Sequence, residues 1–446
     1  MKLIYDVEDK PKFGQMLIFA FQQLLAILAA TIAVPSIIGN GMSQSAALFG
    51  AGIGTIVYLL FTKFKSPVFL GSSFAFLGSM FAAFAGAASV EAGYAGIIIG
   101  AFFAGLVYVV IAIVVKCAGV NWINKLMPPV VIGPTVAIIG LSLAGNAIGD
   151  MLKFAEFDAA NSVYAMNTQG WLGFICALVT LFVVVLCSVY GKKMTKLIPF
   201  VIGILAGYAV AAIFTVIGIT TGNDAFKIID FSLFNNMRWY PDFTFLTAQK
   251  GFAQVDSKYV ATIAVAYIPV AFVVFAEHIA DHKNLSSVIG RDLLETPGLH
   301  RTLLGDGVGS MVGAIFGGCP NTTYGESVGC VAITGNASVV TILTTAIMAM
   351  VISFFGPFVT FLATIPSCVM GGVCVTLYGF IAVSGLKMIQ DVDLGDNSNL
   401  FVVSAILIAG IGGMAIKIGQ VTLTEIACAL ILGIITNLML SRKHSK

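Results

Sequence analysis

The chain has 446 residues, of which 59% are hydrophobic and only 10% are charged. Soluble domains carry about 25% charged residues, so this composition excludes a soluble globular protein and identifies a polytopic protein that lies in the lipid bilayer. At ~20 residues per span, the length allows about 12–14 membrane-spanning helices. The formal net charge of +2 predicts no nucleic-acid partner.

The cysteines and the N-terminus add no further chemistry. The eight cysteines lie mostly inside apolar runs without CxxC spacing, which favours small buried side chains over disulfides or metal ligands. We therefore expect neither a bound metal nor a cofactor. Residues 1–12 are polar and lack an apolar h-region, so no cleavable signal peptide is expected.

Apolar runs follow one another along the whole chain. Before a long polar excursion, the sequence predicts seven segments, at 13–38, 46–61, 68–88, 92–115, 128–148, 171–190 and 197–219. After the excursion it predicts seven more, at 259–280, 303–316, the helical part of 319–329, 339–362, 366–386, 400–416 and 422–440. The prediction is an all-α polytopic protein of about 14 transmembrane segments.

Basic residues lie in every second connection. If the N-terminus is inside, the inside connections and the tail receive Lys63, Lys65, Lys116, Lys125, Lys192, Lys193, Lys196, Lys283, Arg291, Arg301, Lys387, Arg442, Lys443 and Lys446. The positive-inside rule then predicts that both termini are cytoplasmic, in a multi-pass protein of the cell membrane.

The two halves of the chain share three short matches in the same order. GAGIGT at 50–55 matches GDGVGS at 305–310, and SSFAF at 72–76 matches TTYGE at 322–326. The third match pairs MPPVVIG with IPSCVMG, at 127–133 and 365–371. Because each half contains an odd number of segments, the second copy is inverted, which is typical of transporters with a midplane site.

The polar stretch CPNTTYGESVG at 319–329 interrupts the tenth segment. Irregular backbone at membrane depth occurs only where it is buried in protein or lines a wet cavity. A helix that begins near Tyr324 would direct free N–H groups at a ligand. We expect residues 72–76 and 322–326 to meet as short strands, each followed by a half-helix.

Three acids lie where a carboxylate is costly and is a candidate for function. Glu277 follows a long apolar run, Asp281 shares its helix face, and Glu326 lies in the interrupted segment. For Asp281, the alternative is an interfacial residue that caps the helix or pairs with Lys283. Together with Phe74, Tyr324 and Tyr378, the acids suit a small planar ligand with both donors and acceptors better than an anion.

Two motifs of soluble enzymes are matched only superficially. His278 and His282 have a zinc-binding spacing, but Glu277 precedes both and no third ligand is evident, so an intramembrane metalloprotease is a remote alternative. The glycines at 305–309 mimic a dinucleotide fingerprint without a preceding strand, so close helix packing is the better account.

At these residues the chain resembles the nucleobase–ascorbate transporter family, and most closely its bacterial uracil:proton symporters. The resemblance rests on QQLLAILAATIAV at 22–34, LGSSFAF at 70–76, AEH at 276–278, DLL and PGLHR at 292–301, PNTTYGESVG at 320–329, and VMGG and YG at 369–379. The sequence departs from the family pattern at Asp281, Ser327 and Gly335.

The resemblance implies a 7+7 inverted-repeat fold with short β-strands in the third and tenth segments. Segments 1–4 and 8–11 would form a core domain, residues 1–115 and 259–362. Segments 5–7 with the long outer loop, and 12–14, would form a gate domain, residues 116–258 and 363–446. Such proteins are typically homodimers.

The resemblance also implies the site. Glu277 and Glu326 would hydrogen-bond the pyrimidine edge, and the backbone of Phe74 and Gly325 would complete the contacts. Ala30 and Tyr324 would line the pocket, and Tyr378 would face it from the gate.

The implied activity is proton-coupled uptake of uracil or a related nucleobase, with sodium an open alternative to protons. Two carboxylates one helical turn apart in a closing site favour a proton on one of them, so Glu277, Asp281 and Glu326 are the candidates for coupling. A purine symporter on the same fold is the nearest alternative, and an anion exchanger is a remote one.

Overall fold

A computed structural model describes residues 3–119, 122, 126, 128–158, 161–192, 194–418 and 421–441. The elements of the first half are α1 Phe13–Ile38, α2 Gln44–Phe61, β1 Leu70–Ser72, α3 Leu77–Ala85, α4 Val90–Ala118, α5 Pro129–Ser142, α6 Ala144–Met151, β2 Glu156–Asp158, β3 Val163–Ala165, α7 Thr168–Tyr190, α8 Met194–Leu197 and α9 Pro199–Thr221.

The long excursion and the second half follow in order. They comprise α10 Thr244–Gly251, α11 Ser257–Ile289, α12 Leu299–Gly317, β4 Asn321–Thr323, α13 Gly325–Thr334, α14 Val339–Ile352, α15 Gly356–Thr364, α16 Ser367–Met388, α17 Asn397–Ile411, β5 Ile416–Ile418, β6 Val421–Leu423 and α18 Glu425–Ser441. Short 3₁₀ turns lie at Asp224–Phe226, Phe231–Asn236 and Phe252–Gln254, and one π turn lies at Leu294–Gly298.

Within the described residues, eight helices are long and apolar enough to cross a membrane, and α14 with α15 forms one bent pair. The shorter apolar helices α17 and α18 match the last two predicted segments. The glycine-rich α12 and the two strand–helix units, β1–α3 and β4–α13, match the ninth, third and tenth. The order of the fourteen predicted segments is therefore recovered.

Strands β1 and β4 pair in an antiparallel register, which confirms the predicted meeting of the interrupted segments. Leu70 is opposite Thr323, and Ser72 is opposite Asn321. The strands begin slightly earlier than predicted, and they also end earlier. They end there because residues 73–76 lead into α3 and Gly325 already starts α13. Antiparallel pairing sends the two following helices in opposite directions, as an inverted repeat requires.

The predicted eleventh segment is not one straight helix. Helices α14 and α15 are bent by 83° relative to each other. Pro357 lies in the first turn of α15, and a proline cannot continue a preceding helix because it lacks an N–H and restricts the residue before it. The chain therefore turns at this point.

Other differences are extensions and small elements. Helix α11 continues beyond the predicted end to Ile289 and stops at Gly290, whose φ of 68° is left-handed. The long excursion contains α10, which packs on α4. Two hairpins, β2–β3 and β5–β6, were not predicted; strands of three residues between polar turns carry too little periodicity to be recognised.

The helices divide into two packed sets. The first, named the α12 bundle, contains α1, α2, α3, α4, α11, α12, α13 and α14, and its most extensive contacts join α12 to α2 and α4. The second, named the α16 bundle, contains α5, α7, α9, α16, α17 and α18, and its most extensive contacts join α16 to α5 and α9 to α7.

Glycines allow α12 to lie very close to α2, which confirms packing as the role of the 305–309 spacing. A Cβ on Gly309 would lie 2.7 Å from the carbonyl oxygen of Gly54, and a Cβ on Gly50 would lie 2.6 Å from that of Gly313. The Asn321 amide enters the same contact and donates to the carbonyl oxygen of Gly50 at 2.9 Å. The interrupted segment is thereby fixed to the α2–α12 contact.

Some residues used in the charge and repeat arguments lie outside the described part of the chain. They are Lys125, Met127, Lys193, Arg442, Lys443 and Lys446.

The contact between α2 and α12 yields the first prediction. Gly309→Ala should lower the midpoint of thermal unfolding in detergent, because overpacking typically costs about 1–3 kcal/mol and the added methyl group meets backbone that cannot move aside. The matched control is Gly379→Ala in α16, where an added Cβ has no described atom within 4 Å. Equal midpoints for the two variants would contradict this account of the contact.

Candidate functional site

The site begins where the two short strands end. Helix α13 starts at Gly325, directly after β4, with Tyr324 as its N-cap residue. The first N–H groups of a helix have no partner within that helix, and its N-terminal end carries a partial positive charge. A polar ligand is thus offered backbone donors at the end of β4, as the sequence predicted.

A cavity of about 400 Å³ opens beside this helix end, within the range of small-molecule sites. Its lining includes four of the predicted site residues, Glu277, Asp281, Gly325 and Glu326. A Cβ on Gly325 would lie 3.9 Å from Oδ1 of Asp281, so α11 and α13 approach each other closely here. The structure brings the three candidate carboxyl groups to one cavity.

Asp281 is fixed from the strand side. The hydroxyl of Thr323, the last residue of β4, donates to Oδ2 of Asp281 at 2.7 Å. Helix α11 continues for two more turns beyond Asp281, so Asp281 does not cap the end of this helix. Asn284 lies one turn further along the same face and also lines the cavity.

Phe74 and Tyr378 meet in a T-shaped contact with ring centroids 5.8 Å apart. Phe74 follows β1 in the α12 bundle, and Tyr378 belongs to α16. Both side chains are almost fully buried, and Phe74 lines a second cavity of about 350 Å³ next to Asn146 and Glu425. The aromatic pair is therefore a direct contact between the two helix bundles.

Tyr324 and Ala30 lie behind the cavity wall. The Tyr324 hydroxyl donates to the carbonyl oxygen of Ser72 at 2.8 Å, and its ring fills the space that a Cβ on Gly71 would occupy. Tyr324 thus holds β1 against α13. Ala30 is buried in α1, and Ala26, one turn earlier, is the α1 residue at the cavity wall.

Ser327, noted in the sequence only as a departure from a family pattern, has a clear structural role. Its hydroxyl oxygen accepts from Nε2 of Gln23 at 2.6 Å and from the backbone N–H of Phe69 at 3.2 Å. It therefore connects α13 to α1 and to the residues before β1. A pattern comparison shows the changed residue type but not these partners.

The cavity residues that were not predicted as site residues include two with long polar side chains, Asn284 and Lys196. Asn284 could have been found, because it continues the spacing of Glu277 and Asp281 along one helix face. Lys196 could not, because only the packing of α8 and α9 brings this residue from a distant connection to the cavity.

The two histidines after Glu277 face away from the cavity. His278 and His282 are fully buried, and they hydrogen-bond Asp306, Thr302 and Tyr58. In the described part of the chain, no group of three or more His, Cys, Asp or Glu side chains could hold a metal ion. The histidine spacing thus serves contacts between helices.

The cavity has two chemically different walls. The wall from the α12 bundle carries the three carboxyl groups, Asn284 and the start of α13. The wall from the α16 bundle is mainly apolar and consists of Val136, Pro199, Phe200, Leu377, Phe380, Ile381 and Met388. Its polar members are Ser384 and, from the short helix α8 that packs on this bundle, Lys196. A ligand here would form most of its polar contacts with the α12 bundle.

The fold is shared with solved membrane transporters. The transmembrane domain of a cyanobacterium bicarbonate transporter, BicA, matches with a TM-score of 0.64 at 17% identity, over 97% of this chain and 100% of that one. The murine anion transporter Slc26a9 in the inward-facing state matches with a TM-score of 0.68 at 11% identity, over 98% of this chain and 70% of that one. These matches confirm the predicted 7+7 fold.

Sequence comparison is more specific. The chain is 39% identical over 444 residues to the uracil permease of Bacillus caldolyticus, covering 98% of this chain and 95% of the relative. It is 38% identical over 443 residues to that of Bacillus subtilis (strain 168), with coverages of 98% and 95%. For the uracil permease of Escherichia coli (strain K12), identity is 34% over 431 residues, with coverages of 96% and 92%.

Residues 14–419 match the sequence profile described as the Permease family. Relatives that are permeases also align with nearly the full length of the chain. The chain therefore belongs to this permease family of nucleobase–ascorbate transporters, and it is a multi-pass membrane protein and not an enzyme.

Proposed function

We propose that this chain is a proton-coupled symporter that imports uracil across the cytoplasmic membrane. The observation that carries the proposal is the cavity in which Glu277, Asp281 and Glu326 lie beside the start of α13. Relatives with 34–39% identity that are uracil permeases support the substrate.

Uracil fits the chemistry of the polar wall. Its ring N–H groups are donors for the carboxyl group of Glu326, and its carbonyl oxygens are acceptors for the N–H of Gly325 at the start of α13. An anion would face three carboxyl groups against the single lysine Lys196. We therefore favour a neutral nucleobase over an anion, although the shared fold includes anion transporters.

The two walls support a division of labour between the bundles. We assign the α12 bundle, with segments 1–4 and 8–11, as the core domain that carries the substrate. The α16 bundle, with segments 5–7 and 12–14, is the gate domain; α10 of the long excursion packs on the core. Because the gate wall is mainly apolar, the loaded core can slide past it without exchanging polar partners, as in an elevator.

The cavity opens on the side that the charge pattern predicts to be cytoplasmic. Exposed Lys196 and Asn284 lie at this end. Of the aromatic pair, Phe74 lines the second cavity, and Tyr378 follows Leu377, which lines the first. We interpret this conformation as inward-facing, with the aromatic pair closing the route from the outside.

Coupling follows from the excess of acids at the site. Moving a core with uncompensated carboxylates into an apolar environment is costly, so a proton that enters with uracil lowers this cost by removing one negative charge. Loss of that proton to the cytoplasm then removes a hydrogen-bond donor to a uracil carbonyl and releases the substrate. Glu277 and Asp281 share this titration as a pair.

The direct test is uptake of labelled uracil into proteoliposomes, with competitors. Unlabelled uracil should compete, whereas xanthine, hypoxanthine, uric acid and sulfate should not. Competition by the purines would assign the same site to a purine symporter, and competition by sulfate would assign it to an anion exchanger. Uracil uptake that depends on sodium in the absence of a pH gradient would show that sodium, and not the proton, is the coupling ion.

The first site prediction concerns the recognition of the ring. Glu326→Gln should weaken uracil binding by at least roughly tenfold, because a buried charge-assisted hydrogen bond is worth about 1.5–3 kcal/mol and 1.4 kcal/mol is a factor of ten. Isothermal titration of purified protein measures this effect. The control is Glu295→Gln, an exposed glutamate outside the cavity; a Glu326→Gln variant that binds like this control would remove Glu326 from the site.

The second site prediction concerns coupling. The double variant Glu277→Gln, Asp281→Asn carries neutral side chains at both positions, so an imposed pH gradient should no longer drive uracil above its equilibrium level. Uracil accumulation is measured in proteoliposomes with an inside-alkaline pH gradient, and again after an ionophore has collapsed the gradient. The difference between the two measurements is the accumulation that the gradient drives.

Exchange of internal for external uracil serves as the internal control, because it needs movement of the loaded core but no net proton transport. Gradient-driven accumulation in the double variant at the parent level would show that this pair does not carry the proton.

A further inference from the structure

His278 is held at both ring nitrogens by one neighbouring helix. Its Nδ1 lies 2.6 Å from Oδ2 of Asp306, and its Nε2 lies 3.0 Å from Oγ1 of Thr302. All three side chains are almost completely buried, at 0%, 1% and 0% exposure. Thr302 and Asp306 lie one turn apart on α12, so they grip the imidazole from the same helix face.

The hydrogen-bond directions of this cluster can be assigned from its partners. The Thr302 hydroxyl donates to the carbonyl oxygen of Leu299 at 3.0 Å, so it accepts from Nε2–H of His278. Nδ1 and Asp306 then share the remaining proton, and the pair has no net charge. A neutral, hydrogen-bonded pair is the form in which such groups are tolerated at membrane depth.

The cluster lies directly behind the substrate-facing side of α11. Glu277 and His278 are consecutive, so their side chains leave the helix about 100° apart. Glu277 therefore lines the cavity while His278 reaches α12. A rotation or slide of α11 that moved the Glu277 carboxyl group would break one or both bonds of His278.

The helix that supplies the partners is itself closely packed. Gly305 and Gly309 lie against α2, and a Cβ on Gly307 would lie 3.0 Å from the carbonyl oxygen of Gly105 in α4. Asp306 thus lies between glycines at which α12 closely approaches α2 and α4. Its carboxyl group therefore holds His278 of α11 at a defined position relative to α12.

From this geometry we infer that His278, Asp306 and Thr302 are positioning residues, which set the rotation and height of α11 and thereby place the Glu277 carboxyl group against the substrate. The inference rests on the proposed uracil site and deepens it. None of the three residues lines the cavity, so their effect on binding acts through Glu277.

The principal test separates positioning from stability. His278→Phe with Asp306→Ala keeps a similar total volume and leaves neither partner as an unpaired buried charge, and such replacements are often neutral or stabilising. We expect this double variant to fold with a thermal midpoint near that of the parent. We expect its Kd for uracil to rise by about tenfold or more while the number of binding sites per protein stays unchanged.

A folded double variant with the parent Kd would overturn the inference, because a purely structural pair would have been replaced without consequence. A parent protein that fails to bind uracil would instead overturn the proposed function. The two failures are therefore distinguishable in the same titration.

A milder pair of variants decides the question if the double variant does not fold. Thr302→Val removes the acceptor of Nε2–H with little change in shape, whereas Thr302→Ser keeps the hydroxyl group. The Kd for uracil should be higher for the valine variant than for the serine variant, with an equal number of binding sites per protein. Equal Kd values for these two variants would contradict positioning through His278.

Discussion

The antiparallel contact between β1 and β4 is the constraint on which the rest of the structure depends. Chain that leaves the helix at membrane depth must satisfy its backbone groups within the protein, and three residues from each interrupted segment do so by pairing. Tyr324 secures one strand through the carbonyl oxygen of Ser72, and Asn321 secures the other through that of Gly50. The pairing leaves the first turn of α13 open to a ligand, and Thr323 holds Asp281 next to it.

Close helix packing stabilises this arrangement in lipid, where helices gain no hydrophobic driving force from association. The α2–α12 contact depends on glycines such as Gly54 and Gly309, and it places buried polar groups, including Asp306 and Asn321, among partners instead of lipid. These buried polar groups are concentrated in the α12 bundle. The facing wall of the other bundle is mainly apolar, so the proposed movement of one bundle past the other would exchange few hydrogen bonds.

The sequence predicted the membrane class, the order of the segments and the two strand-forming stretches, because apolar runs, internal repeats and misplaced Gly, Pro and Glu are local signals. Glu277 and Asp281 could be placed on one face from their spacing alone. The partners of Ser327 and the arrival of Lys196 at the cavity could not be predicted, since both depend on how distant helices pack. The turn between α14 and α15 was missed because Pro357 lies within an otherwise continuous apolar run.

We propose that uracil binds between the start of α13 and the α11 carboxyl groups, on the polar wall of the cavity between the two bundles. A structure of the purified protein with uracil bound measures this most directly. We expect ligand density within hydrogen-bonding distance of the Glu326 carboxyl group and the Gly325 N–H, with Glu277 at the opposite edge. Uracil bound elsewhere, for instance in the second cavity beside Glu425, would contradict it.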